Sequence, residues 1–584
     1  MPYPRNDDQF DAPLTALALP HGPAADDRVR QRIHEAGFKR HRRAKALEVR
    51  TVQESNVRAA MRDGVELRLD IFRPADQTSP LPAIICWSPY GKSDSDFTLD
   101  EFPFRAGIAR SSVSDFQSWE GLDPAYWCAR GYAVVNVDIR GARNSGGVMQ
   151  FWNRQQAQDG YDTIEWLAAQ EWCSGRVGLA GNSWLAIAQW FIAAQRPPHL
   201  AAIAPWEGFT DFYRHSIACG GIPDPGFSAD VISRLVGRNG VADPVAKIRR
   251  DELYSQGWED FAAQIEEIDV PAYVVASWTN FLHSEGTLDA FLRLPTQQKW
   301  LRLHNSFEWS DYYDPKSVTD LERFFDRYLQ GQLNGWEDTP QCRLTMLAPG
   351  GQSVIERPES AYPPARFEQR RLHLHADGKL ADIAPTSDAS LSYSSADKGM
   401  LRFRHVFDSD IETCGPMALS FDFAAETATD ADLYVTIKWV TRGGKQSLIR
   451  TMPLGKVGNL ITDVMAKLGS DKLGMVFYEG PSGRLRVSRR HLDSKHSTPI
   501  CPVHTFDRDE MLAPGQFVRV GIAIAPSGLR WQRGDALELT IAGHALYKCP
   551  IPDLEQPRLV SEGNHLVRLG PNHPATLTFL AAEY

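Results

Sequence analysis

Gly178-Leu179-Ala180-Gly181-Asn182-Ser183-Trp184-Leu185-Ala186 is the stretch from which the rest of the chain can be read. Val177 to Ala180 has the composition of a short buried strand, and Ala186 to Ala194 that of a largely apolar helix. Ser183 therefore falls on the turn between them. A nucleophilic serine needs such a turn. It lifts Oγ above the sheet, small neighbours leave room for it, and the helix start puts backbone N–H groups beside a developing oxyanion. The pattern is incomplete, because Leu185 stands where G-x-S-x-G ends in glycine. A serine between strand and helix is also an ordinary N-cap, so this stretch alone leaves both readings open.

Outward from Ser183 the same alternation continues. Pro82 to Trp87 and Tyr132 to Val137 are apolar runs suited to strands covered on both faces. Asp162 to Gln170 has helical spacing, and Ala201 to Pro205, Ala272 to Trp278 and Trp300 to His304 read as further strands. Glu285 to Leu294 and Asp320 to Leu329 read as helices between or after them. Strand and helix alternating at this spacing predict a parallel sheet with helices on both faces. Residues 211–264 break the pattern, Gly-rich at first and then helical and charged, and predict an insertion over the sheet's carboxyl edge. Beyond 338 short alternating segments such as Leu433-Tyr434-Val435-Thr436-Ile437 predict an all-β sandwich. The expected organisation is an arm over 1–46, with a helix from Asp27 to Ala46. A core over 47–210 and 265–337 follows, with the insertion at 211–264 and the sandwich at 338–584.

Composition narrows the function. The formal net charge of −10 is spread along the chain, which argues against a nucleic-acid binder. Lys39 to Lys45 is the one basic cluster and reads as a solvated face. Met1 to Gln9 is polar with no apolar run after it, so no secretory signal is expected. No stretch approaches the roughly 18 apolar residues of a membrane span. The eight cysteines are scattered, without CxxC pairs, so no metal site or disulfide framework is expected. A reduced, cytoplasmic setting follows. No P-loop, HExxH or dinucleotide fingerprint is present, and no cofactor is expected.

Several motifs give Ser183 a context. Met61-Arg62-Asp63-Gly64-Val65-Glu66-Leu67 leads to Asp138-Ile139-Arg140-Gly141, Ser145-Gly146-Gly147 and Asp159-Gly160-Tyr161-Asp162-Thr163-Ile164-Glu165-Trp166. Gln170-Glu171-Trp172-Cys173 and Gly175-Arg176-Val177-Gly178 then run into the serine. In order and spacing these resemble the cocaine esterase and X-Pro dipeptidyl-peptidase family of α/β-hydrolases. The resemblance continues into a jelly-roll domain through Thr413-Cys414-Gly415-Pro416 and Gly483-Arg484-Leu485-Arg486, and covers roughly 50–584. It implies an α/β-hydrolase sheet, a helical cap at 211–264 and a C-terminal jelly roll. Ser183 would be the nucleophile, with Tyr90 and the Trp184 amide as oxyanion donors. Trp184 and Ala186 replace the usual Tyr and Gly.

The rest of the expected triad departs from the family. Its acid belongs in a W-x-D pattern, where this chain has Trp278-Thr279-Asn280. Asn280 can orient an imidazole but carries no charge; Glu285 and Asp289 are nearby carboxylates. The base belongs a few residues after the last strand, where His304 stands at the strand end and Glu308 near the usual His position. His304 is the first choice as base, and His283 the second. These readings imply an acyl hydrolase acting on an ester, or secondarily an amide, of a small molecule. The rivals are an X-Pro-type peptidase, an acyltransferase of the same fold, and a degenerate binding protein marked by Asn280. A homo-oligomer is left open.

Overall fold

The computed structural model describes residues 16–17, 27–92, 97–349, 353–467, 474–546, 554–560 and 563–584. The polar segment Met1 to Gln9 and Cys549 lie outside them.

The core is one eleven-stranded sheet. In chain order its strands are β1 (Arg30–His34), β2 (Thr51–Ala60), β3 (Glu66–Pro74), β4 (Leu81–Ser88), β5 (Ala133–Asp138) and β6 (Cys173–Asn182). They continue as β7 (Leu200–Trp206), β8 (Ala272–Ser277), β9 (Lys299–His304), β10 (Cys342–Met346) and β11 (Val354–Glu359). Across the sheet the order is β11-β10-β9-β8-β7-β6-β4-β5-β3-β2-β1. From β10 to β5 every neighbour is parallel; the strands outside that block pair antiparallel. The parallel strands are buried on both faces, which is why they are written as unbroken apolar runs: β4, β5 and β8 contain no exposed residue. Helices α1 (Arg154–Ala168), α2 (Trp184–Ala193), α3 (Ser284–Arg293) and α4 (Pro315–Tyr328) connect successive parallel strands.

Two expectations change here. The helix expected from Asp27 to Ala46 is absent: Arg30–His34 is instead an edge strand, paired antiparallel with β2. Its residues are mostly exposed and carry charge, the character of an edge that resists further pairing, and they lack the apolar stripe a helix would need. The sheet also takes in β10 and β11, which lie past the limit of 337 expected for the core.

Between β7 and β8 the chain forms a cap of short helices, Gly226–Arg234, Pro244–Arg250 and Gln256–Glu259. The C-terminal part packs a seven-stranded sheet, built on Ile411–Ala425, and a four-stranded one, built on Asp432–Val440, as the expected sandwich. It leans on the core. Leu347 and Gly528 share a backbone hydrogen bond of 2.8 Å, and Arg489 donates to the cap carbonyl of Gly221 at 2.6 Å. The carboxyl ends of the parallel strands are thus closed over from two sides. No helix among the described residues is long and apolar enough to cross a membrane.

Candidate active site

β6 ends at Asn182 and α2 begins at Trp184, so one residue makes the whole turn. That residue is Ser183, at φ 55° and ψ −117°. A non-glycine residue in that region is strained, and the surroundings hold it there. The Ser183 N–H points at the carbonyls of Trp206 (3.2 Å) and Glu207 (3.1 Å), at the end of the neighbouring strand. The Asn182 N–H donates to the Glu120 carbonyl at 3.1 Å. Gly181 makes the approach possible. It has φ 143°, and a Cβ there would lie 2.3 Å from Leu185 Cβ. Leu185, the residue that broke the expected motif, is packed directly over this glycine. Gly181→Ala is expected to cost about 2–3 kcal/mol, combining backbone strain with overpacking. Thermal denaturation would show it as a fall of several degrees in Tm.

The two histidines are placed differently from the first expectation. His283 Nε2 lies 3.1 Å from Ser183 Oγ. His304 Nε2 instead faces Glu207 Oε1 at 2.8 Å and Asp311 Oδ2 at 3.7 Å, while its Nδ1 accepts from the Ser306 N–H. His283 immediately precedes α3 and stacks on Phe209, with ring centroids 5.7 Å apart. Burial pushes its imidazole down to about 3, so it is neutral near pH 7 with a lone pair available. Its Nδ1 is buried and has no hydrogen-bond partner among the described residues.

Among the described residues, the hydrogen bonds of the Asn280 side chain go to neither imidazole ring. Its Oδ1 accepts the N–H groups of Leu282 (3.0 Å) and His283 (3.2 Å), which shapes the loop that carries His283. Its amide donates to Glu207 Oε2 at 2.6 Å and Glu308 Oε2 at 3.3 Å. Glu308 Oε2 is also 3.9 Å from His283 Nε2. Burial, reinforced by the charges of Glu207 and Glu120, pushes the Glu308 carboxyl well above the usual carboxylate range. Behind this group, burial would raise Asp311, but the charges of Arg302 and His304 outweigh it and hold that carboxyl at about 2. Arg302 grips Asp311 with both terminal nitrogens, at 2.8 and 2.5 Å.

Tyr90, Glu120, Ser183, Asn280, His283 and Glu308 all face one cavity of about 1290 Å³. Burial raises the Tyr90 phenol well above its usual range, so it stays a hydrogen-bond donor. A small apolar recess of about 20 Å³ adjoins Ser183, lined in part by Phe151, Trp152, Ile187, Phe209 and Phe212. Phe209, just before the cap, and Phe212 and Phe227 within it reach this recess. Tyr213, Trp258 and Phe261 are buried among one another and pack the cap. Sequence reasoning missed Glu120 and Glu207. Glu207 carried a signal, since it directly follows a parallel strand at its carboxyl end; Glu120 carried none.

Residues 63–233 match the X-Pro dipeptidyl-peptidase (S15 family) and residues 334–578 the X-Pro dipeptidyl-peptidase C-terminal non-catalytic domain. Cocaine esterase of Rhodococcus sp. (strain MB1 Bresler) is 36% identical over 487 residues, 69% of this chain and 81% of that protein. A CocE/NonD family hydrolase from Staphylococcus aureus has a crystal structure that superposes with a TM-score of 0.85 at 27% identity, over 97% of this chain and 99% of that one. An aminopeptidase from a marine sediment archaeon shares the fold at 14% identity, with a TM-score of 0.67 over 99% of this chain and 100% of that one. With its α/β-hydrolase sheet, its cap and its jelly-roll domain, the chain belongs to the CocE/NonD family of hydrolases, together with cocaine esterase and the X-Pro dipeptidyl-peptidases.

Proposed function

We propose that the protein is a serine esterase in which Ser183 and His283 form the reacting pair. The observation that carries this reading is the 3.1 Å approach of His283 Nε2 to Ser183 Oγ on a strained strand-to-helix turn. Ser183 attacks the acyl carbon while His283 takes its proton. The Trp184 amide and the Tyr90 hydroxyl hold the oxyanion. His283 then returns the proton to the leaving alcohol, and water, activated by the same imidazole, clears the acyl-enzyme. Asn280 is a positioning residue, because it holds the His283 loop rather than the ring. Glu308 Oε2 lies 3.9 Å from the imidazole nitrogen that gains the proton; kept protonated by its surroundings, it meets the imidazolium as a neutral dipole and not as a counter-charge.

The two spaces beside Ser183 suggest how a substrate divides. The recess has room for a small acyl end, and the large cavity for a bulky alcohol. The test is a panel of p-nitrophenyl esters of increasing acyl length beside an X-Pro p-nitroanilide. The reading expects turnover of esters with acetate and propionate preferred. Cleavage of the anilide alone would favour the peptidase, and no turnover of either would sink both. Phe212→Ala opens the recess. It is expected to raise the butyrate-to-acetate ratio of kcat/KM about tenfold, the usual worth of one or two methylenes in an apolar site. Steady-state kinetics on the two esters checks it.

A further inference from the structure

Glu120 is the carboxyl that the Ser–His chemistry leaves unexplained. It is 3% exposed, in the loop before β5, at φ 63°. Left-handed backbone at a glutamate costs about 1 kcal/mol, and here it locks the residue to the elbow. Its carbonyl takes the Asn182 N–H, one residue before the nucleophile. Its side chain then reaches the cavity at Ser183. Oε1 accepts from the Trp309 indole at 3.0 Å, and Oε2 is buried without a hydrogen-bond partner among the described residues. Burial pushes the carboxyl up to about 8, against the pull of the Trp309 and Trp119 indoles, the Ser183 hydroxyl and the Trp184 amide. Of the last two, Ser183 is the group that attacks the acyl carbon and the Trp184 amide the one that meets the acyl oxygen in the reading above.

The described ionisable groups around it are mostly acids; Arg234, a cation that lines the same cavity, acts on Tyr90. Tyr90 from the β4 end, Glu308 after β9, and Tyr312 and Tyr313 beyond it are all acids that feel the Glu120 charge. His283, across Ser183, is neutral. Cys86, beneath the loop, is pushed up to about 12 by burial. A carboxyl in such surroundings is a neutral acid near pH 7, and a neutral acid donates a hydrogen bond where an anion would repel developing negative charge.

We propose that Glu120 is a third group of the oxyanion site, working as the neutral acid: its O–H donates to the acyl oxygen beside the Trp184 amide and the Tyr90 hydroxyl. The proposal rests on Ser183 being the nucleophile. It adds that the site accepts an oxyanion only while this carboxyl keeps its proton.

The experiment follows the rate at which a fluorophosphonate labels Ser183 between pH 5.5 and 10, in wild type, Glu120→Gln, Glu120→Ala and Glu308→Gln. The phosphoryl oxygen stands in for the acyl oxygen, so no substrate need be known. His283 is already neutral across this range. Wild type is expected to slow above pH about 8, approaching about tenfold per pH unit as one proton is lost. Glu120→Gln, which keeps an N–H donor, is expected to lose that fall and to label at pH 6.5 within about threefold of wild type; Glu120→Ala is expected to label about 10²-fold more slowly. Glu308→Gln keeps the wild-type fall. A fall retained in Glu120→Gln, a fall removed by Glu308→Gln alone, or full-rate labelling of Glu120→Ala overturns the proposal and leaves Ser183 standing. No labelling of wild type at any pH removes Ser183 as nucleophile and this inference with it.

Discussion

Ser183→Ala is expected to lower kcat on p-nitrophenyl acetate by on the order of 10⁴-fold or more, because it removes the only atom that forms the acyl-enzyme. The variant keeps its fold. Ala at φ 55° is strained much as Ser is, and the backbone bonds to Trp206, Glu207 and the α2 start do not involve Oγ. Stopped assays at high enzyme concentration measure the residual rate, and a Tm within a few degrees of wild type separates lost chemistry from lost structure. Retention of a tenth of the activity would exclude an acyl-enzyme on this residue.

The second large effect divides the two histidines. His283→Ala is expected to lose about 10³- to 10⁴-fold in kcat, near the upper end for removal of a general base. His304→Ala is expected to act mainly on stability. It leaves Glu207, 1% exposed, without the imidazole 2.8 Å away, a loss of about 2–4 kcal/mol for a buried carboxylate stripped of a partner. Its activity per folded molecule should fall far less than that of His283→Ala. Paired denaturation curves and active-site titration check both variants. The opposite pattern, with His304→Ala inert and His283→Ala active, would return the base to His304.

That reversal shows where the sequence stops being legible. The elbow and the parallel strands were readable because their signals are local: an apolar run, a turn with small residues, a second apolar run. The base was not. His304 ends β9 and His283 follows β8 by six positions, so both stand at the sheet's carboxyl edge, where functional side chains gather. His283 sits on a loop held by Asn280, and Asn280 in turn bonds Glu207 and Glu308, residues 73 and 28 positions away from it. The family's positions misdirect here as well, since Asn280 and Glu308 occupy the places where an acid and a histidine are expected. Glu120 was invisible for a stronger reason. Nothing around Trp119-Glu120-Gly121 marks it, and its backbone hydrogen bond to the elbow spans 62 residues of chain. The expected helix over 27–46 failed differently. Charge density was read as a solvated helix face, whereas pairing with β2 decided the conformation.

The central claim is that Ser183 is activated as a nucleophile at this elbow. Its most direct test is peptide mass spectrometry of the full-length protein after reaction with a fluorophosphonate. The account predicts one equivalent of label, on the peptide containing Ser183, with the rate of attachment sharply reduced in His283→Ala. A label on another residue, or an unmodified Ser183 after prolonged reaction, would contradict it.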